Sequence, residues 1–148
     1  MTSTTVVWRG LDAPRMEIAR VEGGRARGTQ IGVAYELRYD VAPGLLQVEV
    51  VGGEAALIEL GDADFFDLGF SPLFNSFPIW SGLDRARDFR MRFVEVPSLA
   101  VSESPQRYEP LEPGRVRFRS GDFGAEIEYD ADGLVTTYEG LAVRLARV

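Results

Sequence analysis

The protein contains no cysteine and no histidine. It also contains no lysine, since all 16 Lys and Arg positions are arginine. Without thiolate and imidazole side chains, the chain lacks the usual zinc ligands, a cysteine nucleophile and the base of a Ser-His-Asp triad. The missing lysine removes Schiff-base chemistry and a phosphate-binding P-loop. The composition therefore excludes most familiar enzyme chemistry, and we expect no metal, no cofactor and no catalytic residue.

Acidic residues are in excess, with 23 Asp and Glu giving a net charge of −7. A nucleic-acid-binding surface needs concentrated positive charge, so we expect no nucleic-acid partner. No run of 18 apolar residues is present to form a transmembrane segment, and the first ten residues do not resemble a secretory signal. We therefore expect a cytoplasmic protein, and the length of 148 residues predicts one domain, 1–148. The oligomeric state is not indicated.

Apolar residues recur at every second position through much of the chain, which is typical of strands with one buried face. The clearest run is Ile31, Val33, Tyr35, Leu37 and Tyr39. Met16 and Ile18 indicate a weaker strand, and a loop is expected at Ala42-Pro43-Gly44. A three-residue hairpin loop near Gly52-Gly53 would place Val48 on the face of Ala56.

The C-terminal third also alternates, with arginines on one strand and glutamates on the next. If the loop lies at Ser120–Phe123, Arg117 faces Glu126 and Arg115 faces Glu128 across the ladder. This register favours exposed ion pairs over a general acid–base pair of glutamates.

Asp130-Ala131-Asp132-Gly133 could suggest a calcium loop, but it lacks the further ligands of a twelve-residue site. We interpret Asp132-Gly133 as a type I′ hairpin turn, which places Ile127 on the face of Tyr138.

About nine or ten short strands with turn signals between them predict a mainly β fold, as a barrel or strongly curved sheet. Segment 71–80 interrupts the pattern. Ser71 is placed to cap a helix and Pro72 to occupy its first position. We expect a short helical turn packed against the sheet.

This segment also carries a family resemblance. Leu68-Gly69-Phe70-Ser71-Pro72-Leu73-Phe74-Asn75-Ser76-Phe77-Pro78-Ile79, followed by Phe93-Val94-Glu95-Val96-Pro97-Ser98-Leu99 and Gln106-Arg107-Tyr108, resembles the Putative glycolipid-binding family. Trp8, Asp132-Gly133-Leu134-Val135 and Tyr138 also fit the pattern. The resemblance implies a single strongly curved antiparallel sheet, a half-barrel or open barrel similar to bacterial lipoprotein carriers, with an apolar concave cavity and a lipid or glycolipid ligand.

The candidate ligand-binding residues fall into two groups. An apolar chain would lie against aromatic side chains that share one face of the sheet or belong to the family pattern: Trp8, Tyr35, Tyr39, Phe74, Phe89, Phe93, Tyr129 and Tyr138. A headgroup would be bound by polar side chains beside an aromatic platform: Asn75, Trp80, Arg92, Gln106 and Tyr108. The same patterns are expected if the aromatics fill a core and the polar groups bond to neighbouring backbone.

Three functions are therefore open. The first is non-catalytic binding of an amphipathic lipid or glycolipid. The second is a hydrolase or lyase restricted to carboxylate, tyrosine and arginine chemistry, with Asp67 as base. The third is a protein-interaction domain with a packed aromatic core.

Overall fold

The computed structural model describes residues 3–40 and 44–148. Of the predicted loop at Ala42-Pro43-Gly44, only Gly44 falls within these residues. One sheet of thirteen strands accounts for most of the described part. The strands are β1 Thr5–Gly10, β2 Arg15–Arg20, β3 Arg25–Gln30, β4 Val33–Asp40, β5 Leu45–Val50, β6 Ala55–Glu59, β7 Phe65–Leu68, β8 Arg87–Val94, β9 Val101–Glu112, β10 Arg115–Ser120, β11 Phe123–Tyr129, β12 Val135–Tyr138 and β13 Ala142–Arg147.

Strand β1 lies near the middle of this sheet. The strand order is β6-β5-β4-β3-β2-β1-β13-β12-β11-β10-β9-β8-β7. From β1 the strands run out to the edge at β6, and the chain then crosses to the other edge at β7 and returns to the middle. All neighbouring pairs are antiparallel except β7 and β8, which are parallel. The predicted mainly β class and the predominantly antiparallel sheet are confirmed.

The sheet is strongly curved but not closed. Laid flat, thirteen strands at about 4.8 Å spacing would extend for about 58 Å. The two edge strands are joined by residues 60–64 alone, which span at most about 20 Å. The sheet must therefore roll up until its two edges approach each other. Arg92 on β8 strengthens the junction by donating from Nη2 to the carbonyl oxygen of Leu60 at 3.1 Å.

The predicted register of the C-terminal hairpin is confirmed. Arg117 lies opposite Glu126, and Arg115 lies opposite Glu128. Across the next hairpin, Ile127 lies opposite Tyr138. These side chains follow the strict alternation of a strand, so the apolar members point to the concave face.

The hairpin near Gly52-Gly53 also has the predicted register, with Val48 opposite Ala56. The backbone nitrogen of Val50 donates to the carbonyl oxygen of Glu54 at 2.8 Å, which closes a three-residue loop.

The prediction of a type I′ turn at Asp132-Gly133 is wrong. The nitrogen of Asp130 donates to the carbonyl oxygen of Leu134 at 2.9 Å, so the loop has three residues, 131–133. A type I′ turn needs positive φ at both central positions. Gly133 has φ of 78°, whereas the non-glycine residues with positive φ in the described part are Ile31, Phe70 and Leu99.

Two features of the strands differ from their sequence patterns. In β2 the buried residues are Glu17 and Ala19, whereas Met16 is exposed. Tertiary contacts of Glu17, described below, outweigh the apolar alternation. The described residues also form more strands than the nine or ten predicted, because strands such as β3 (Arg25–Gln30) carry little apolar alternation.

Two short helices lie between β7 and β8: a 3-10 helix at Pro72–Asn75 and α1 at Ser76–Trp80. We refer to residues 72–80 as the helical segment. Pro72 occupies the first turn as predicted, but Ser71 makes no capping hydrogen bond. None of the helices in residues 3–40 and 44–148 has the length and apolar character needed to cross a membrane.

Candidate functional site

The helical segment packs on the concave face of the sheet, and its 3-10 helix is buried throughout. Both ends of the sheet contribute to its surroundings, because the sheet curls around it. A chain of aromatic rings continues across the concave face. Neighbouring ring centroids lie 5.3–6.0 Å apart along Phe77, Phe65, Phe89, Tyr108, Phe118 and Tyr138.

Buried polar side chains hold the segment in position. Ser71 Oγ donates to Glu17 Oε1 at 2.7 Å, and Asn75 Nδ2 donates to Tyr108 Oη at 2.9 Å. Gln30 Nε2 donates to the carbonyl oxygen of Gly69. These contacts reach three distant strands, β2, β9 and β3. They fix the segment against the sheet by directional bonds rather than by apolar packing alone.

Glu17 lies among these contacts with no exposed surface. Its Oε2 accepts a hydrogen bond of 2.5 Å from Tyr35 Oη. Burial raises the pKa of Glu17 to about 7, and the hydrogen bonds from Tyr35 and Ser71 only partly offset this effect. Desolvation, followed by the nearby Glu17 charge, also raises the pKa of Tyr35.

A second carboxyl in a largely desolvated position belongs to the half-buried Asp67 on β7. Its Oδ2 accepts a hydrogen bond of 2.7 Å from Gln106 Nε2. Burial raises the pKa of Asp67 to about 6 against the lowering effect of Gln106. Burial, with the nearby Asp67 charge second, holds the pKa of Tyr108 well above its usual value.

Open space lies at the exposed end of the helical segment. A groove of about 650 Å³ runs between the β2–β3 turn, the end of β4 and α1. Its lining combines aromatic rings with charged groups, and we call it the aromatic groove: Val21, Glu22, Gly23, Gly24, Arg38, Tyr39, Asp40, Phe77 and Trp80. Its volume is within the range of small-molecule binding sites.

Trp80 forms an ordered platform on this groove. The side chain is 41% exposed, but its indole Nε1 donates to the carbonyl oxygen of Asp132 at 2.7 Å. The Phe77 ring packs against the Trp80 ring, with the ring centroids 5.2 Å apart in an edge-to-face arrangement. Tyr39 packs on Phe77 at 5.4 Å and donates from its hydroxyl to the carbonyl oxygen of Val21 at 3.1 Å. The ring orientations are therefore fixed before any ligand arrives.

A smaller, mostly apolar space of about 80 Å³ adjoins the groove. We call it the apolar slot, and it lies between β4, β7 and the helical segment: Tyr39, Asp40, Gly44, Leu60, Asp64, Phe65, Phe66, Phe74 and Phe77. Tyr39, Asp40 and Phe77 line both spaces. The aromatic groove and the apolar slot thus adjoin each other at these three residues.

The structure brings together only some of the predicted ligand-binding residues. Tyr39, Phe74 and Trp80 line the groove or the slot. Seven others are buried on the concave side of the sheet: Trp8, Tyr35, Asn75, Phe89, Gln106, Tyr108 and Tyr138. Trp8 donates from Nε1 to the carbonyl oxygen of Val135 at 2.8 Å. Arg92, Phe93 and Tyr129 are half-buried and line neither space.

Sequence reasoning did not select Phe77, Phe65 or Phe66 as lining residues. Phe77 contacts the rings of Tyr39, Phe65, Phe74 and Trp80. Its spacing of three residues from both Phe74 and Trp80 was the available signal, because residues three apart share one side of a helical turn.

The carboxylate of Asp130 is fully engaged by protein groups. Its Oδ2 accepts 2.6 Å bonds from both Arg144 and Arg147, and its Oδ1 accepts from the nitrogens of Asp132 and Leu134. These contacts stabilise the three-residue loop 131–133. Within residues 3–40 and 44–148, no group of three or more acidic side chains is arranged to hold a metal ion.

Comparison with known proteins agrees with the resemblance seen in the sequence. Residues 47–144 match the family described as Putative glycolipid-binding. A crystal structure of a DUF1089 family protein from Pseudomonas aeruginosa is similar in fold, with a TM-score of 0.64 and 24% sequence identity over 98% of this chain and 94% of that chain. No curated protein matches the sequence. Since the family match covers well over half of the chain, the protein belongs to the Putative glycolipid-binding family.

Proposed function

We propose that the protein binds an amphipathic glycolipid without transforming it, with the sugar in the aromatic groove and the first carbons of the chain in the apolar slot. The observation that supports this proposal is that the two spaces adjoin each other and share Phe77 in their lining. A ligand with a polar head and an apolar tail matches the groove and the adjoining slot, respectively. The family description agrees with a ligand of this class.

The groove has the chemistry that a sugar requires. Sugar rings present C–H groups that pack on aromatic faces, and Trp80 offers such a face with its indole nitrogen already bonded to Asp132. Sugar hydroxyls donate and accept hydrogen bonds, and the carboxylate of Asp40 and the guanidinium of Arg38 line the same groove. The groove can therefore bind both the C–H groups and the hydroxyl groups of a sugar ring.

The slot limits how much of the chain is enclosed. A space of about 80 Å³ accommodates only a few methylene groups. Each buried methylene contributes about 0.8 kcal/mol, so affinity should rise with the first carbons and then level off. A carrier with a deep chain cavity would instead gain affinity along the whole chain.

The enzymatic alternative depends on Asp67. Burial raises the pKa of Asp67 to about 6, which suits a general base. However, its carboxylate is hydrogen-bonded to Gln106, and it lines neither the groove nor the slot. Binding without catalysis is therefore the better-supported function.

The expected cytoplasmic location stays a prediction, which fractionation of host cells would check.

Calorimetric titration with methyl, butyl, octyl and dodecyl glucosides below their critical micelle concentrations tests the proposal. We expect affinity to rise from methyl to butyl and then to level off. Trp80→Ala should weaken binding of every glucoside by about two- to tenfold, the contribution of one aromatic contact. Phe123→Ala, which truncates a 51% exposed aromatic on β11, is the matched control.

Unchanged binding in Trp80→Ala, or equal weakening in Phe123→Ala, would contradict the location of the sugar. Binding of no glucoside at millimolar concentration would contradict the function itself. Affinity that climbs steadily to dodecyl glucoside would contradict the role of the slot.

A further inference from the structure

Three arginines stand side by side on the outer face of the sheet. Arg20 on β2 lies directly opposite Arg25 on β3, and Arg25 lies directly opposite Arg38 on β4. All three side chains are exposed. Neighbouring strands are about 4.8 Å apart, so three cationic side chains start within about 10 Å of each other. Like charges in directly opposite positions destabilise a sheet, so the fold itself does not require this row.

Within residues 3–40 and 44–148, no carboxylate lies at ion-pair distance from the three arginines of the row. The ion pairs found in residues 3–40 and 44–148 involve other arginines. In the described part of the chain, the side-chain hydrogen bond of Arg20 goes to the neutral Ser3 hydroxyl, at 3.5 Å. A second pair of opposed arginines, Arg107 and Arg119, differs in this respect, because Arg107 is paired with Asp88 at 3.1 Å.

The row borders a surface hollow of about 430 Å³. Arg20, Arg25 and Arg27 line this hollow together with a single acidic residue, Glu36. The hollow therefore concentrates positive charge in a chain whose net charge is −7. Guanidinium groups bind phosphate oxygens in a bidentate manner, and several of them around one hollow suit a phosphate or a similar oxyanion.

The row also reaches the aromatic groove. Arg38 lines the groove, and Arg25, which lies directly opposite Arg38, lines the hollow. Glu22, an acidic residue of the groove, is engaged elsewhere, because its Oε2 accepts a 2.5 Å bond from the backbone nitrogen of Thr4. A ligand with its sugar on Trp80 could therefore place a neighbouring anionic group on the arginines.

We infer that Arg20, Arg25, Arg27 and Arg38 form a subsite for a phosphate-like oxyanion on the headgroup of the ligand. This inference rests on the proposed function and narrows the ligand class to anionic amphiphiles. Arg25 is the central residue, since it faces two other arginines and lines the hollow. The subsite sets headgroup preference and leaves chain binding to the apolar slot.

The test compares monododecyl phosphate, dodecyl maltoside and inorganic phosphate by calorimetry, at about 20 and 200 mM NaCl. We expect the native protein to bind monododecyl phosphate at least about tenfold more tightly than dodecyl maltoside at low salt, and to lose this preference at high salt. Arg25→Gln should remove most of the preference without changing maltoside affinity. Arg119→Gln makes the same charge change at an exposed position of β10, and it should alter neither the preference nor the maltoside affinity.

Folding is checked alongside, since Arg25→Gln relieves repulsion and should not lower the unfolding temperature. Equal affinity for both amphiphiles, or a preference that survives in Arg25→Gln, overturns the subsite while maltoside binding still supports the proposed function. Inorganic phosphate that binds as tightly as monododecyl phosphate overturns the link to an amphiphile. The same titration is repeated with vesicles of anionic phospholipid. Binding to these vesicles alone, with no binding of monomeric amphiphile, overturns the single-ligand subsite in favour of a membrane surface.

Discussion

The hydroxyl of Ser71 donates a 2.7 Å hydrogen bond to the carboxyl of Glu17, 54 residues earlier in the chain. This bond joins the residue just before the helical segment to β2, and the buried Glu17 carboxyl is also bonded to Tyr35. A carboxyl group in this position makes the stability of the fold depend on pH. The dependence has a definite sign.

Glu17 should make the protein less stable at alkaline pH. Its pKa is about 7 in the folded state against 4.5 for an unperturbed glutamate, so the folded chain retains a proton that the unfolded chain releases. Stability from this group is therefore greatest at low pH and falls as pH rises from about 4.5 to 7. Asp67, with a pKa of about 6, acts in the same direction.

Urea unfolding at pH 5 and pH 8 measures this effect. Glu17→Gln should reduce the loss of stability between the two pH values by about 2 kcal/mol, because the amide does not titrate. Glu49→Gln, on the exposed face of β5, is the control and should leave the pH dependence unchanged. An unaltered pH dependence in Glu17→Gln would show that another group is responsible.

Asn75 and Tyr108 should stabilise the fold as a pair. Both are buried, and Asn75 Nδ2 donates to Tyr108 Oη at 2.9 Å. Removing either partner leaves a buried polar group unsatisfied, at a cost of about 1–3 kcal/mol. Unfolding free energies of Asn75→Ala, Tyr108→Phe and the double variant should show a coupling of 0.5 kcal/mol or more, roughly. Additive effects would mean that the hydrogen bond contributes little.

Arg117 and Glu126 should contribute little to stability, although their register is as predicted. The closest approach is 3.8 Å, and the side chains are 41% and 39% exposed. Solvent screens such a pair, so Glu126→Gln should change the free energy of unfolding by less than about 1 kcal/mol. Chemical denaturation at low and high salt checks this expectation. A larger loss that disappears in high salt would show that the pair is stronger than its exposure implies.

Gly133 should control the position of Trp80. Its φ is 78°, and a Cβ at this site would lie 2.7 Å from the indole Nε1 of Trp80. Gly140 has a similar φ of 74° but has nothing within 4 Å of such a Cβ. Gly133→Ala and Gly140→Ala should therefore both lose about 1 kcal/mol from the strained backbone.

Only Gly133→Ala should also displace Trp80, which tryptophan fluorescence and glucoside titration would detect. Weaker glucoside binding in Gly140→Ala, or unchanged binding in Gly133→Ala, would show that Gly133 does not control binding in the aromatic groove through Trp80.

The sequence by itself determined the features that depend on neighbouring residues. Period-two alternation identified the strands around Tyr35 and Ile127, and the loop at Ser120–Phe123 determined the register of β10 and β11, with arginines opposite glutamates. The Pro72 segment was identified as helical because proline favours the first turn. The absence of cysteine, histidine and lysine limited the chemistry in the same direct way.

Only the tertiary structure decided which side of β2 is buried and where open space remains. Glu17 faces inwards because Tyr35 and Ser71 donate hydrogen bonds to it from distant parts of the chain. The local alternation of apolar and polar residues does not indicate these bonds. The groove exists because the rolled sheet brings the β2–β3 turn beside α1 and leaves Trp80 over Gly133. Such relationships arise from long-range packing, so the alternation that defines each strand cannot specify them.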